Sequence, residues 1–277
     1  MSKNKTDLPL LDGPAWSSTR DAIHAYTQVI GKIRGAAAYR QKLWSHLSLR
    51  THARGLTTGP VHVPWGAFEI RLDLLDGHAT LMSSDGRAKR LLMTNLTARS
   101  LAVNFVARLA SWGIVLEVDP NEFDDTALPE DCLDEMRNLW KVTLWVDRLL
   151  TRFRSEQRNE TTPVQLWPHH FDLSMMWFSG RKVPGQDPYD AELSDEQMSF
   201  GFAFGDTSHP DPYFYITAYP LPSGLSEIEL PRFASWKTND WTGIFAAYDR
   251  VVALERPDAA VIDLLRSALA TGESMME

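Results

Sequence analysis

Apolar residues recur along the chain with two different periods, and the changes of period mark its helices and strands. In residues 19–39 they recur at spacings of three and four, which predicts an amphipathic helix. In residues 68–75 apolar and polar side chains alternate, which predicts a half-buried strand. The Asp-Gly pairs at 76–77 and 85–86 are typical of hairpin turns. The pattern therefore predicts three strands joined by tight turns, at 68–75, 78–84 and 88–92.

The same order of elements then appears a second time. A helix from Thr97 to Gly113 and a strand at 114–118 end the first series, and a helix at 130–156 begins the second. Four strands and a C-terminal helix follow, at 163–167, 170–178, 198–204, 213–219 and 258–270.

These elements predict an α+β protein with antiparallel sheets backed by helices. It has two similar α–β–α halves, residues 19–118 and 130–271, within one compact unit that covers 1–277. An ungapped comparison of 60–77 with 163–180 matches four of 18 positions, which indicates an internal duplication. Coincidence is the alternative, because four identities at a selected offset are few.

The composition restricts the class of partner and the cell compartment. The formal net charge is −8 and the pI about 5.5, so the phosphate backbone of a nucleic acid would be repelled. Cys132 is the only cysteine, which excludes an intramolecular disulfide and fits a cytoplasmic protein. No segment has the ~18 consecutive apolar residues that a transmembrane helix needs. Neither nucleic acid nor a membrane is therefore expected as a partner.

The segment "WPHHFDL", residues 167–173, raises the question of a metal site, because it holds two histidines and an aspartate. On a regular strand His169 and His170 point to opposite faces, so both imidazoles cannot bind one ion. A site would need His170 and Asp172 with a third ligand such as His62, Glu69 or His209, and no HxH or HxxxH spacing supports one. We therefore expect no metal, no cofactor and a mainly structural role for this segment.

Two carboxylates, Glu69 and Asp172, occupy equivalent positions under the proposed duplication. If the halves pack about a pseudo-twofold axis, these groups converge, and in a shared cleft one would become a general acid and the other a base. They are the candidate catalytic residues. The alternative is that each lies on the solvated face of its strand and forms ordinary ion pairs.

A candidate ligand pocket follows from the segments "MSFGFAFG" (198–205) and "YFYITAYP" (213–220). Small residues on one face of the first strand leave room above the sheet, and tyrosines on the second would line that room with hydroxyl groups. The candidate ligand-binding residues are His170, Arg181, Tyr215 and Tyr219. The alternative is that a helix packs closely on this face of the sheet.

Several short motifs resemble those of a bacterial protein family of unknown function. They are "GKIR" (31–34), "ARGLTT" (53–58), "FDL" (171–173) and "FSGR" (178–181), and they span most of the chain in the same order. The resemblance implies one conserved unit of about this length. It implies no activity and no catalytic residues, because the family has none assigned.

Two functional hypotheses follow from these patterns. The first is a small-molecule-binding protein, with acid–base enzyme activity as a further hypothesis, whose site lies in a cleft between the halves. The second is a non-catalytic protein that uses an exposed aromatic surface for interaction or self-association. The sequence decides neither whether the protein is an enzyme nor what its oligomeric state is.

Overall fold

A computed structural model of the chain describes residues 8–205 and 209–276. It contains helices and two antiparallel sheets, so the prediction of an α+β protein is confirmed. The chain divides into two compact units. We call them the N-unit, which comprises Asp12–Val142 and Gln165–Phe171, and the C-unit, which comprises Met1–Leu11, Thr143–Val164 and Asp172–Glu277.

Helix α1, Gly13–Ala37, begins the N-unit and starts earlier than the sequence pattern predicts. A proline in its first turn explains the earlier start, since a proline there lacks only an N–H that the helix would leave unpaired. Its apolar stripe is fully buried at Ile23, Tyr26 and Ile30. The Tyr26 hydroxyl donates to Leu96 O at 2.7 Å, which ties the helix to the loop that follows the sheet.

Helices α2 and α3 begin and end close to their predicted positions. In α2, Ala98–Ser111, the start is fixed because Thr97 and Ser100 form a capping box. Helix α3, Leu133–Ser155, has acidic residues in its first turn and arginines in its last, as the helix dipole favours. Among the helices of the described residues, none combines the length and the apolarity needed to cross a membrane.

The N-unit sheet is antiparallel. Its strands are β1 (Arg50–His52), β2 (Gly55–Thr57), β3 (Val61–Val63), β4 (Gly66–Asp73), β5 (His78–Ser83) and β6 (Ala88–Leu92). They are ordered β1-β2-β4-β5-β6, and β3 also pairs with β4. The predicted alternation is present in β4, where Phe68, Ile70 and Leu72 are buried. The short strand β7 (Gln165–Trp167) also belongs to this unit.

The C-unit strands are ordered β11-β12-β10-β9-β8 and are antiparallel. They are β8 (Asp172–Lys182), β9 (Asp195–Ala203), β10 (Tyr213–Tyr219), β11 (Ser235–Lys237) and β12 (Gly243–Ala247), and helices α4 (Tyr248–Val252) and α5 (Pro257–Met275) follow. One face of this sheet packs on α3: the Phe200 ring lies 4.8 Å from Phe153, and the Phe214 ring lies 5.7 Å from Trp145. The opposite face is therefore the one that carries Tyr213 and Tyr215.

The strand predicted at 114–118 does not form, so this prediction is wrong. Gly113 has a φ of 85°, and Ile114 N donates to Leu109 O at 2.9 Å, which closes the end of α2. Ile114 and Val118 are buried but Val115 is 86% exposed. The alternation of apolar residues here reflects a loop that enters the core at Ile114 and Val118 and pairs with no strand of the described residues.

The internal duplication stays a prediction. Each unit contains an antiparallel meander, β4-β5-β6 in the N-unit and β8-β9-β10 in the C-unit. Phe68 lies within β4, whereas its proposed counterpart Phe171 precedes β8 and has a φ of 51°. The two phenylalanines therefore occupy different backbone environments.

Phe171→Ala is expected to lower the free energy of unfolding by about 3–5 kcal/mol, as large-to-small changes in a core do. The Phe171 ring is fully buried and stacks on His24 at 5.2 Å. Denaturant unfolding measures the change. His169→Ala is the control, since His169 is exposed in the same turn and should lose less than about 0.5 kcal/mol. Equal losses in the two variants would contradict this packing.

Candidate functional site

The two histidines of "WPHHFDL" lie in a turn and not on a strand. Residues 168–171 form this turn, and the N–H of the last one donates to Trp167 O at 2.8 Å. That last residue has a φ of 51°, which a strand does not allow, so β8 begins only at Asp172. The rings of His169 and His170 are 4.1 Å apart. The prediction that they point to opposite faces of a strand is therefore wrong.

His24 of α1 supports this turn from within the N-unit. Its Nε2 donates to Pro168 O at 2.9 Å, and its ring stacks on Phe171. Burial lowers the pKa of His24 below its ordinary value of 6.5, so the ring is neutral at pH 7. His170, a predicted ligand-binding residue, is exposed. Within the described part of the chain, no three His, Cys, Asp or Glu side chains are grouped so that they could hold a metal ion.

A carboxylate and a phenol meet on the sheet of the C-unit. Asp172 begins β8 and is only 5% exposed, and its Oδ2 accepts a 2.5 Å hydrogen bond from the Tyr215 hydroxyl on β10. These strands are not neighbours, because β9 lies between them. Ser174 and Tyr215 both pair with Gly201 of β9. The Tyr215 side chain therefore extends across Gly201 to reach Asp172.

Gly201 makes this crossing possible because it has no side chain. A Cβ atom at this position would lie 2.3 Å from Tyr215 Cζ and 2.4 Å from its hydroxyl oxygen. Such distances are far inside van der Waals contact, so the ring would have to move. The register of three strands thus brings together Gly201, which leaves room above the sheet, and Tyr215, which fills that room.

The charge of Asp172 and the burial of Tyr215 fix which group carries the proton. Burial, the negative charge of Asp172 and the hydrogen bond to it raise the pKa of Tyr215 well above 10. Tyr215 therefore stays a neutral phenol that donates to a carboxylate. Ser174 also hydrogen-bonds to Tyr215, so the hydroxyl is held by two side chains of β8.

Aromatic side chains surround this pair on the same face of the C-unit. The ring of Tyr213 lies 4.9 Å from Phe245 and 6.4 Å from Trp241, whose ring plane is nearly parallel to it. Trp241 also approaches Tyr215 edge-on at 6.4 Å. Lys237 Nζ lies 5.1 Å from the Trp241 ring centroid. We call Asp172, Ser174, Tyr213, Tyr215, Trp241, Phe245 and Lys237 the polar–aromatic face.

The Lys237 ammonium is held in place at the border of this face. Its Nζ lies 2.5 Å from His209 Nε2 and 3.1 Å from Asp240 Oδ2. Its side chain is only 11% exposed. The His209 ring in turn lies 5.2 Å from Phe245. A fixed cation, a buried carboxylate and several rings therefore share one surface.

Glu69, the other predicted catalytic residue, lies in the N-unit and takes part in an ordinary polar network. It accepts from Thr57 Oγ1 at 2.6 Å and from Arg71 Nε at 2.8 Å. Burial alone would raise the pKa of Glu69, but the bonds from Arg71 and Thr57 outweigh it and the pKa is lowered. Glu69 thus stays ionised, as an ion-paired carboxylate does. Its pairing with Asp172 stays a prediction.

Two predicted ligand-binding residues lie away from the Asp172–Tyr215 pair. Arg181, near the far end of β8, donates to Glu196 Oε2 at 2.8 Å and to Met276 O at 2.6 Å, so it ties the strand to the C-terminal helix. Tyr219 shares the strand and the face of Tyr215 but lies four residues further on, about 13 Å away.

Sequence patterns missed Trp241, Phe245 and Lys237, and they indicated His209 only as a possible third metal ligand. Strands β11 and β12 have only three and five residues, too few for a clear alternation. The one usable signal is the segment "GIFAA" (243–247), in which Phe245 stands among small and apolar residues.

Comparison with protein-family models gives one assignment. The model of a family of unknown function, DUF5996, matches residues 8–277. The chain belongs to this family. The resemblance inferred from the short motifs is thereby confirmed at the level of a family of unknown function, and DUF5996 membership assigns no activity. No curated protein and no solved structure shows significant similarity to the chain.

Gly201→Ala is expected to destabilise this DUF5996 protein by about 1–3 kcal/mol, because the new methyl group overlaps the Tyr215 ring. Denaturant unfolding of a double-mutant cycle with Tyr215→Ala tests the cause. In the Tyr215→Ala background the same change should cost little or stabilise, since alanine is favoured over glycine in a strand. An equal cost in both backgrounds would show that the crossing does not limit this position.

Tyr215→Phe is expected to alter how stability depends on alkaline pH. The folded-state pKa of Tyr215 is raised, so above about pH 10 the unfolded chain releases a proton that the folded chain keeps. Stability is therefore lost as pH rises, by up to about 1.4 kcal/mol per pH unit for this one proton. The difference in the free energy of unfolding between wild type and Tyr215→Phe should stay constant below pH 9.5 and shrink above pH 10.

Tyr189→Phe is the control for this experiment, because Tyr189 is 92% exposed. Its difference from wild type should stay constant across the same pH range. A constant difference for Tyr215→Phe as well would contradict the buried hydrogen bond.

Proposed function

We propose that the protein binds a small molecule on the polar–aromatic face of the C-unit, with Asp172 and Tyr215 at its centre. The observation that carries this proposal is a buried carboxylate bonded, across a glycine, to the hydroxyl group of the partly exposed Tyr215. Burying a carboxylate costs several kcal/mol unless it is well compensated. An apolar pair of similar volume would hold the strands together at lower cost, so a role beyond packing is favoured.

The chemistry of the face defines the ligand class. Asp172 accepts hydrogen bonds or pairs with a cation, and the rings of Tyr213, Trp241 and Phe245 offer apolar and π surface. Tyr215, Trp241 and Phe245 are partly exposed, so a ligand can reach them. These features support a ligand that carries an amine or another hydrogen-bond donor next to an aromatic or apolar body.

A concave region elsewhere in the C-unit is a weaker candidate. It lies between β10, β12 and α5, has a cavity volume of only about 10 Å³ and is lined mainly by apolar side chains such as Met198, Leu225 and Ala268. Ligand pockets usually measure about 300–1,000 Å³ and contain polar groups that orient the ligand. This region has a smaller volume and a mainly apolar lining.

The acid–base hypothesis receives less support than binding. A general base works best when its pKa lies near the operating pH, whereas the pKa of Tyr215 is raised far above it. Tyr215 can nevertheless orient Asp172 and donate a hydrogen bond. We therefore propose binding as the function of this face and acid–base activity only as an extension of it.

Isothermal titration calorimetry with 2-phenylethylamine tests the proposal, and 2-phenylethanol serves as the uncharged comparison. Native mass spectrometry of the purified chain looks in parallel for a retained small molecule and reports self-association. Wild type should bind the amine at least tenfold more tightly than the alcohol, a difference of about 1.4 kcal/mol or more. Asp172→Asn should lose this preference, because the amide carries no charge.

Asp172→Asn should also keep the stability of the wild type or exceed it, since the amide oxygen still accepts from Tyr215 and no charge is buried. Tyr189→Phe is the surface control and should bind as wild type does. The proposal is wrong if Asp172→Asn unfolds more easily than wild type while ligand binding and retained mass are unchanged. In that case Asp172 is a structural residue.

A further inference from the structure

A long stretch of the N-unit contains basic residues and no acidic ones. Residues 22–68 include six Lys or Arg side chains and neither Asp nor Glu, although the whole chain has 36 acidic residues and a net charge of −8. Two of the six are neutralised from outside the stretch: Lys32 pairs with Glu122, and Arg54 pairs with Asp73. The other four, Arg34, Arg40, Lys42 and Arg50, lie around the C-terminal end of α1 and in the chain that follows it.

Arg34, in the last turn of α1, is not neutralised in this way. Its Nη1 is buried and has no hydrogen-bond partner among the described residues. Burial, together with the positive charge of Arg50, lowers the pKa of Arg34 from 12.5 to about 10. A partly buried guanidinium next to a second guanidinium is costly unless an anion compensates it.

The 3-10 segment Lys42–Leu47 places further hydrogen-bond donors beside Arg34. Trp44 Nε1 is buried and has no partner in the described chain. Its ring lies 5.9 Å from His46 and 4.4 Å from the guanidinium carbon of Arg40. His46 Nδ1 accepts from Gln41 N, so its remaining ring hydrogen is on Nε2. Burial is the largest cause that lowers the pKa of His46, and the positive charges of Arg34 and Arg40 lower it further. These three groups are therefore close together.

A fourth donor comes from β7. Gln165 is 1% exposed, and its Oε1 accepts from Ser48 Oγ at 2.9 Å. The Gln165 Nε2 is buried and has no partner among the described residues. The Ser48 hydroxyl oxygen also lies 2.9 Å from Ser45 O, which places Gln165 next to the segment that carries Trp44.

Two glycines and a strained backbone hold this arrangement. A Cβ at Gly35 would lie 2.7 Å from Leu47 Cδ2, and one at Gly31 would lie 2.6 Å from Pro168 Cγ. The two glycines of the segment "GKIRG" (31–35) therefore let the loops that carry Leu47 and Pro168 approach α1 closely, on either side of Arg34 in the sequence. Leu43 and Trp44 each have a φ of 55°, a left-handed conformation that is strained for residues other than glycine. The structure thus maintains the position of the Trp44 ring at a cost.

We propose that Arg34, Trp44 and Gln165 form an oxyanion-binding site that takes a phosphate or carboxylate group of a small molecule. Three separate elements each supply a buried donor without an acceptor, and no acidic side chain is available from residues 22–68 to satisfy them. Charge-assisted hydrogen bonds from a guanidinium to an oxyanion are among the strongest in proteins. This site lies in the N-unit and does not rest on the function proposed for the C-unit.

Inorganic phosphate, acetate and chloride at equal ionic strength are the probes for this site, and the wild-type chain is titrated with each by calorimetry. Phosphate should bind detectably and chloride should not, and the ratio of phosphate to acetate affinity identifies the favoured group. In ¹H–¹⁵N NMR spectra the indole N–H of Trp44, assigned from the peak missing in Trp44→Phe, should shift on addition of phosphate. Identical responses to phosphate, acetate and chloride would overturn the proposal.

Arg34→Met should weaken phosphate binding at least tenfold and raise the thermal midpoint of the unliganded protein, because an apolar side chain of similar length replaces a buried charge. Arg99→Gln is the matched control, since Arg99 forms an exposed ion pair with Asp125 in the same unit. It should bind phosphate as wild type does. If Arg34→Met does not fold, Arg34→Lys keeps the charge and should bind several-fold more weakly. Unchanged affinity in either Arg34 variant would refute the site.

Discussion

The polar–aromatic face of the C-unit depends on one steric constraint, the passage of Tyr215 over Gly201. Only a glycine at this position near the end of β9 allows a side chain of β10 to reach the first residue of β8. The hydrogen bond to Asp172 then satisfies a phenol and a carboxylate that would otherwise be costly to bury. The neighbouring rings of Tyr213 and Trp241 pack against a tyrosine whose position is fixed in this way.

Sequence periodicity predicted the elements whose pattern is set by one buried face. Strands β4 and β10 and helix α2 are such cases, because alternation or a capping box acts within a few residues. It failed where the backbone leaves that pattern. The turn before Asp172 has a residue with a φ of 51°, which no propensity for phenylalanine predicts. At 114–118 apolar residues alternate without a strand to pair with, and pairing is a property of the tertiary fold.

The candidate site was predictable in part, because the alternation along a strand determines which of its side chains share a face. The alternation of small and aromatic residues in β9 and β10 placed Tyr215 above a gap, and the same parity placed Asp172 and Ser174 on one face of β8. Which residues meet depends on the order of strands, and periodicity carries no information on that order. Trp241 and Lys237 reach the face from short segments of the C-terminal region. The absence of acidic residues from 22 to 68 was visible in the sequence, but an average over the whole chain conceals it.

The two units carry polar groups of opposite chemistry. In the C-unit a buried acceptor, Asp172, accepts a hydrogen bond from Tyr215 of the same sheet. In the N-unit a buried donor, Arg34, has no acceptor among the described residues, and a neighbouring left-handed backbone adds strain. Backbone strain is concentrated at active sites and ligand clamps, where the surrounding structure holds it in place. A buried donor that lacks an acceptor is costly, so Arg34 Nη1 supports the proposal that an anionic ligand completes this part of the N-unit.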